Sequence, residues 1–292
     1  MTLRLLQGLL LPAIFTALMT YVSARSSGDK VQRAMAIYVA STILGGFLGR
    51  ATSGAIAAWA GWRFSFLILG VTLLAIGALL GRLPETGGRQ ALRPGLDQVR
   101  RVLRQPGYLH IYFLIFCMFF VFAAVMNFLP FRLTELSSKA DDMRIGLMYS
   151  GYVMGIVTSL AAVRICRKIG SEKRALLAGT AVFGIALFGL NTPSIPWLFA
   201  DMFLFCGAMF LVHATSSGLL NRRAEANRGL VNGLYVASYY SGGMIGSYLP
   251  GFAYQHFGWT GLIVLLEMLV VLGLVLLARF PMLEEQAPSG NI

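Results

Sequence analysis

Residues 38–62 read YVASTILGGFLGRATSGAIAAWAGW, and residues 235–259 read YVASYYSGGMIGSYLPGFAYQHFGW. Laid together without gaps at an offset of 197, they are identical at ten of twenty-five positions. Five of the ten are glycines, pairing Gly45 with Gly242, Gly46 with Gly243, Gly49 with Gly246, Gly54 with Gly251 and Gly61 with Gly258. Shared apolar composition does not generate that register, so the chain reads as a duplicated unit. In a helix, Gly45 and Gly49 stack one turn apart, while Gly46, Arg50 and Gly54 form the adjacent row. Such glycines weaken a helix in water by about 1 kcal/mol each. In lipid, small residues at four-residue spacing let a second helix approach backbone to backbone. The repeated element is therefore expected to be a close-packed intramembrane helix, with two halves of the protein meeting at its two copies.

Composition agrees with a membrane protein. Of 292 residues, 57% are hydrophobic and 12% charged, and the mean hydropathy is +0.71. A soluble domain of this size cannot hide that much apolar surface. The net charge of +12 does not point to nucleic acid, because neither an aromatic RNA-binding motif nor a basic tail accompanies it. Cys117, Cys166 and Cys206 lack paired spacing, which gives no disulfide framework and no zinc site. No other metal or cofactor site is expected. No ATP-binding loop is present, which argues against primary active transport by this chain alone. A membrane enzyme is disfavoured by the lack of a metal-ligand cluster, a nucleophile elbow or an aspartate-rich site. The Asp141-Asp142 pair reads as a solvated turn.

Apolar runs fall near 5–23, 34–60, 64–83, 108–130, 145–163, 175–192, 196–220, 229–256 and 259–280. Nine transmembrane helices follow from their lengths. With the first connector in the cytoplasm, eighteen Lys and Arg residues lie inside and four (Arg63, Arg132, Lys139 and Arg144) outside. That asymmetry places the C-terminus in the cytoplasm and, for nine spans, the N-terminus outside. Met1–Ala24 has features of a secretory signal, but Arg25, Lys30 and Arg33 directly after it oppose export. The organisation is a partial N-terminal bundle (1–83), a Pro-, Gly- and Arg-rich cytoplasmic linker (84–107) and a six-helix C-terminal bundle with a short cytoplasmic tail (108–292). Under the repeat offset, the counterpart of the helix starting near 108 falls about ninety residues ahead of Met1. This length suits three helices at about 30 residues per helix and loop. Divergence to a genuine nine-span protein is the alternative.

At these residues the chain resembles a major facilitator superfamily transporter of the proton-linked drug and sugar efflux branch. Arg4-Leu-Leu-Gln7-Gly8 is similar to that branch's Arg-x-x-Gln-Gly signature. Gly45-x3-Gly49-Arg50-x2-Ser53-Gly54 is similar to the antiporter glycine motif, with Arg50 where Pro is usual and Ser53 where Gly is usual. In the second copy Pro250 is displaced by three positions. Residues 127–133, NFLPFRL, and 213–223, HATSSGLLNRR, resemble arabinose-efflux-type permeases. In residues 166–174, CRKIGSEKR, the family's acidic-basic signature survives only as Lys168 and Gly170, with Arg167 where an acid is usual. The resemblance implies an all-α membrane protein of major facilitator-type bundles. It also implies alternating access in the bacterial inner membrane, with a small-molecule substrate, protons and membrane lipid as partners. The missing N-terminal helices would be a further partner, and a truncated, non-transporting fragment is the competing reading.

Ionisable residues inside a membrane are costly and count as site candidates. Arg50, mid-helix on the glycine row, suits pairing with a carboxylate or an anionic substrate group, against a packing role. Arg4 is a similar candidate near the N-terminus. His213 lies midway along its helix, where an imidazole can carry a proton near neutral pH or simply be hydrogen-bonded at a helix contact. Asp201 stands near the outer end of the same helix, either coupling protons or solvated at a rim. Asn127, Tyr239 and Tyr240 are candidate cavity polar groups. Glu267 reads as part of a supporting helix and pairs with a neighbour, while His110 and His256 lie near the membrane edges without a role.

Overall fold

Gly61 takes φ 88° and ψ 155°, and Gly258 takes φ 66° and ψ −168°. That region of backbone space is essentially confined to glycine. Each is followed by the tryptophan that closes its copy of the repeat, and a helix starts there in both cases. Trp62 opens one helix and Trp259 restarts another beyond the kink. The duplicated sequence thus carries a duplicated corner.

The computed structural model describes residues 2–82, 95–105, 107–137, 149–224 and 227–279, without the side chains of residues 2–5, 29, 50, 51 and 58. All regular structure among the described residues is helical. The first three helices are α1 (Thr2–Ala24), α2 (Asp29–Ala60) and α3 (Trp62–Leu80). A short α4 (Leu96–Arg104) follows, then α5 (Tyr108–Leu136). A 3-10 turn (Tyr149–Gly151) leads into α6 (Tyr152–Ile169), followed by α7 (Glu172–Gly189) and α8 (Ile195–Arg223). The chain closes with α9 (Arg228–Gly246) and α10 (Pro250–Arg279), the latter kinked at Gly258.

Seven of these helices are long and apolar enough to cross a membrane. They are α1, α2, α3, α5, α6 (counted from Tyr149), α8 and α10. α7 opens with Glu172, Lys173 and Arg174, and α9 carries five glycines and several polar residues, which keeps both below that threshold. The protein is an integral membrane protein.

Three local departures from the sequence pattern have physical causes. The last two runs divide at Ser247–Leu249 rather than beside Gly258, because Pro250 lacks the N–H that a continuous helix needs there. The 84–107 linker contains α4, whose Val102 is buried among core residues while Arg100, Arg101 and Arg104 face outward. Between α6 and α7, Gly170 takes φ 96° and the Ser171 hydroxyl accepts the Arg174 amide, a tight helix-to-helix cap. Just beyond that cap, Glu172 binds Arg222 and ties the start of α7 to the end of α8.

By chain order we call α1–α3 the small unit and α5–α10 the larger one, although α1 and α2 each pack more on the larger unit than on each other. In the larger unit α5 packs on α9 and α10, and α8 packs on α6 and α7. α10 also packs on α7. The small unit joins it through α2 on α6 and α8, and through α1 on α9. α3 packs on α2, where the Ser65 hydroxyl donates to the Ser53 carbonyl at 3.0 Å.

The two glycine stripes differ in what covers them. A methyl group at Gly242 would overlap the backbone of Phe116, and one at Gly246 the backbone of Phe120. At Gly251 it would press on the Phe128 ring at 3.0 Å. The second stripe therefore seats α5 within the larger unit, rather than forming the junction between the units. At Gly45, Gly49 and Gly54 an added methyl group would meet nothing within 4 Å among the described residues. The junction instead uses the other face of α2, through Gln32, Met35, Val39 and Ile43, all buried.

Candidate functional site

A cavity of about 480 Å³ lies between the two units. The small unit contributes Phe15 and Met19 of α1 and Tyr38, Thr42 and Gly46 of α2. The larger unit contributes Phe119 of α5, Tyr152 of α6, His213 of α8, and Tyr235, Tyr239, Tyr240 and Gly243 of α9. The reason for this assembly is the repeat itself. Tyr38 and Tyr235 are register mates, as are Gly46 and Gly243, so the same sequence positions approach one space from opposite units.

Aromatic rings dominate the walls. Phe119 and Tyr239 lie 4.8 Å apart between centroids, and Tyr239 and Tyr240 another 4.8 Å apart. Phe15 continues the row from the small unit, 6.4 Å from Tyr240. Ring faces of this kind accept flat apolar bodies or cations. No side chain with a formal charge at neutral pH lines the cavity among the described residues.

His213 supplies the imidazole on this wall. Its Nδ1 lies 2.7 Å from the Tyr235 hydroxyl, which also stands 3.1 Å from the His213 carbonyl oxygen. With the hydroxyl proton given to that carbonyl, Nδ1–H donates to the tyrosine oxygen and Nε2 is the free acceptor. With the hydroxyl proton given to Nδ1, the proton of the ring sits on Nε2. One proton thus has two positions on a pair anchored to the backbone. Phe119 meets the imidazole edge-on at 5.1 Å and Tyr235 stacks on it at 5.5 Å.

A polar belt joins the units toward the ends of the same helices near residues 20–32 and 218–232. The Asn221 side-chain amide donates to Asn232 Oδ1 at 2.7 Å, and Asn232 donates to the Thr20 hydroxyl at 3.1 Å. Arg228 donates to the Ser23 carbonyl. Gln32 packs against Gly218, where an added methyl group would come within 2.8 Å of its Cγ. Gln32, Asn221 and Asn232 are all buried. This belt is made of residues far apart in sequence, and only their shared end of the helices signals it in advance.

The sequence candidates separate clearly. His213, Tyr239, Tyr240, Gly46 and Gly243 line the cavity. Asn127 sits near its rim, donating to the Ala123 carbonyl at 2.7 Å and to Ser247 Oγ at 3.1 Å. Asp201 is elsewhere, its carboxylate pressed against Gly189 where α7 meets α8. Sequence reading missed Tyr38, Tyr235 and the polar belt. The side chains of Arg4 and Arg50, the Asp141-Asp142 pair and half of the 84–107 linker lie outside the described residues.

Comparison with known proteins matches this architecture. The model of the Major Facilitator Superfamily matches residues 1–163 and 111–292. The inner membrane transport protein YnfM of Escherichia coli (strain K12) is 28% identical over 281 residues, 94% of this chain and 67% of its own length. The MFS-type transporter YybF of Bacillus subtilis (strain 168) is 21% identical over 279 residues, 94% of this chain and 69% of its own length. In fold, the chain is similar to the human organic anion transporter MFSD10 (TETRAN), with a TM-score of 0.74 at 18% identity over 90% of this chain and 67% of the other. It is also similar to the proton:xylose symporter XylE, with a TM-score of 0.64 at 16% identity over 90% and 66% of the two chains. The chain spans about two thirds of the length of these proteins. With the family model matching the whole of its length, this duplicated, all-helical membrane protein belongs to the Major Facilitator Superfamily.

Proposed function

We propose that the chain forms the larger part of a proton-coupled efflux carrier of the drug and sugar efflux branch. It moves a small, largely apolar or aromatic molecule by alternating access in the bacterial inner membrane, with its C-terminus in the cytoplasm. The observation that carries this reading is the cavity at the junction of the units, aromatic on its walls, with a hydrogen-bonded belt across the units toward one end, its closed end in this reading. The charge asymmetry of the connectors puts that closed end on the cytoplasmic side. Rocking the units breaks the Asn232–Thr20 and Arg228–Ser23 contacts there and lets the cavity face inward. The His213–Tyr235 pair supplies a place for the exchanged proton. Arg50, on the row of Gly46, serves as the anchor of an anionic group or alternates its pairing with a carboxylate. The relative named as an inner membrane transport protein supports the location, and the efflux-type glycine motif supports the direction.

The bare stripe at Gly45, Gly49 and Gly54 supports a second element of this reading. Its register mates are filled by α5, so a helix equivalent to α5, with its two companions, completes the small unit in the working carrier. Nine spans in this chain and three more then make two matched bundles.

A cysteine at Thr42 in a cysteine-free background tests the cavity assignment. Aromatic compounds that bind should slow its reaction with a small thiol reagent. Gly243→Leu, which meets no neighbour with its Cβ, should fold normally and abolish that protection. Protection that survives Gly243→Leu would place the binding site elsewhere.

A further inference from the structure

Glu267 lies on the far side of α10 from the central cavity, at the junction with α7. Two grooves meet at its side chain. One, of about 570 Å³, runs along Phe188, Ile263 and Val264 and contains the Thr260–Asn191 hydrogen bond of 2.9 Å. The other, of about 460 Å³, runs along Thr180, Gly184 and Ile185. Ile185, Phe188, Val264, Met268 and Val271 are exposed along these walls, so the grooves open sideways toward the hydrocarbon. Gly184 leaves room for the carboxyl group, since an added methyl group there would come within 3.4 Å of Glu267 Oε2.

Beyond a backbone contact with Phe188, the carboxyl group has no structural partner among the described residues. Its Oε1 is buried without a hydrogen-bond partner among the described residues. The two ion pairs among those residues, Arg132–Glu135 and Arg222–Glu172, leave it out. No ion pair of Glu267 with a neighbour, as expected from the sequence, is made among the described residues. A bare carboxylate at membrane depth is costly, and packing alone is better served by leucine or glutamine.

We propose that this groove is a second ligand site, separate from the central cavity, which takes a lipophilic cation from within the bilayer. The carboxylate neutralises the cation's charge, and the apolar walls hold its aryl or alkyl body. Depth selects this ligand over a phospholipid amine. Glu267 is a little over two turns beyond Trp259, on the order of 12 Å along the helix at 1.5 Å per residue, whereas headgroups lie about 15 Å from the bilayer centre.

The test uses the purified chain in phosphatidylglycerol nanodiscs and dicyclohexylcarbodiimide, which converts an intramembrane carboxyl group to a stable N-acylurea readable by peptide mass spectrometry. Tetraphenylphosphonium should slow modification of Glu267 at least fivefold, and tetraphenylborate, of the same shape and opposite charge, should not. Glu267→Gln should weaken tetraphenylphosphonium binding at least tenfold. Val264→Trp, on an exposed wall, should remove the protection while the fold is retained, and Gly243→Leu in the central cavity should leave it unchanged. Equal protection by both ions, or none by the cation, overturns the proposal, as does protection conferred by adding phosphatidylethanolamine to the nanodiscs. The protection readout needs no variant, so it stands even where Glu267→Gln fails to fold.

Discussion

Replacing Gly246 by alanine should destabilise the protein, and replacing its register mate Gly49 should not. At Gly246 the new methyl group overlaps the O, C and Cα atoms of Phe120, all backbone, so no side-chain rotation relieves the clash. Overpacking of this kind costs about 1–3 kcal/mol, and a backbone obstacle puts it in the upper half, near 2–3 kcal/mol. Against that stands the gain of about 1 kcal/mol for alanine over glycine in a helix. Gly49→Ala makes the same gain and meets nothing. The propensity gain cancels between the two variants, so their difference isolates the clash. At roughly 2–4 °C per kcal/mol for a chain of this order, their melting temperatures should differ by roughly 5–10 °C. The assay is built into the molecule, because Cys117, Cys166 and Cys206 are all free and buried. A thiol-reactive fluorophore therefore reports unfolding directly. A gap under about 2 °C would refute the packing argument. In a polypeptide whose added helices fill the first stripe, Gly49→Ala should become as costly as Gly246→Ala. If it stays harmless there, no helix occupies that face.

Other expectations follow from the same geometry. Tyr235→Phe strips the hydroxyl from His213 Nδ1 and its carbonyl, leaving buried polar atoms unpaired at about 1–3 kcal/mol. It should lower the melting temperature by several degrees and alter the pH profile of transport, and an unchanged profile would remove the pair from the proton path. In a carrier with its full set of helices, Arg50→Lys should retain part of the transport and Arg50→Ala almost none, at normal surface levels. A charge at that depth costs about 2.5–3.5 kcal/mol when unpaired, so wild-type transport by Arg50→Ala would reduce the residue to packing. Single cysteines at Ser137 and Arg167 should react with an impermeant reagent from opposite sides of intact cells, Ser137 from outside. Equal labelling would reverse or void the orientation.

The elements most legible in the sequence are those governed by local chemistry. The gaps between apolar runs near residues 61 and 258 coincide with both corners, where Gly61 and Gly258 adopt a backbone that favours glycine. The glycine register announced a close helix contact, realised on α5 at Gly242 and Gly246. Which helix would fill it was not legible, since α5 and α9 are more than a hundred residues apart. The candidate site was visible in part. His213, Tyr239 and Tyr240 stood out as polar or titratable groups inside apolar runs. Tyr38 and Tyr235 did not, although the repeat quotes both, because tyrosine in such a helix equally suits packing. The polar belt draws Thr20, Gln32, Asn221 and Asn232 from four helices, and no spacing rule links them. Asp201 and His213 share α8, yet only His213 reaches the cavity, because helix rotation and depth decide that and periodicity does not.

Spin-label distances across the two ends of the cavity test alternating access most directly. One pair, Ser27→Cys and Asn227→Cys, spans the closed end, and the other, Thr52→Cys and Tyr248→Cys, spans the opposite end. The carrier account predicts two populations at each pair, changing in opposite senses. Asn232→Ala, which cuts the polar belt, should enlarge the long-distance population at the first pair and the short-distance population at the second. A single distance at both pairs, unmoved by Asn232→Ala and by pH, would contradict it.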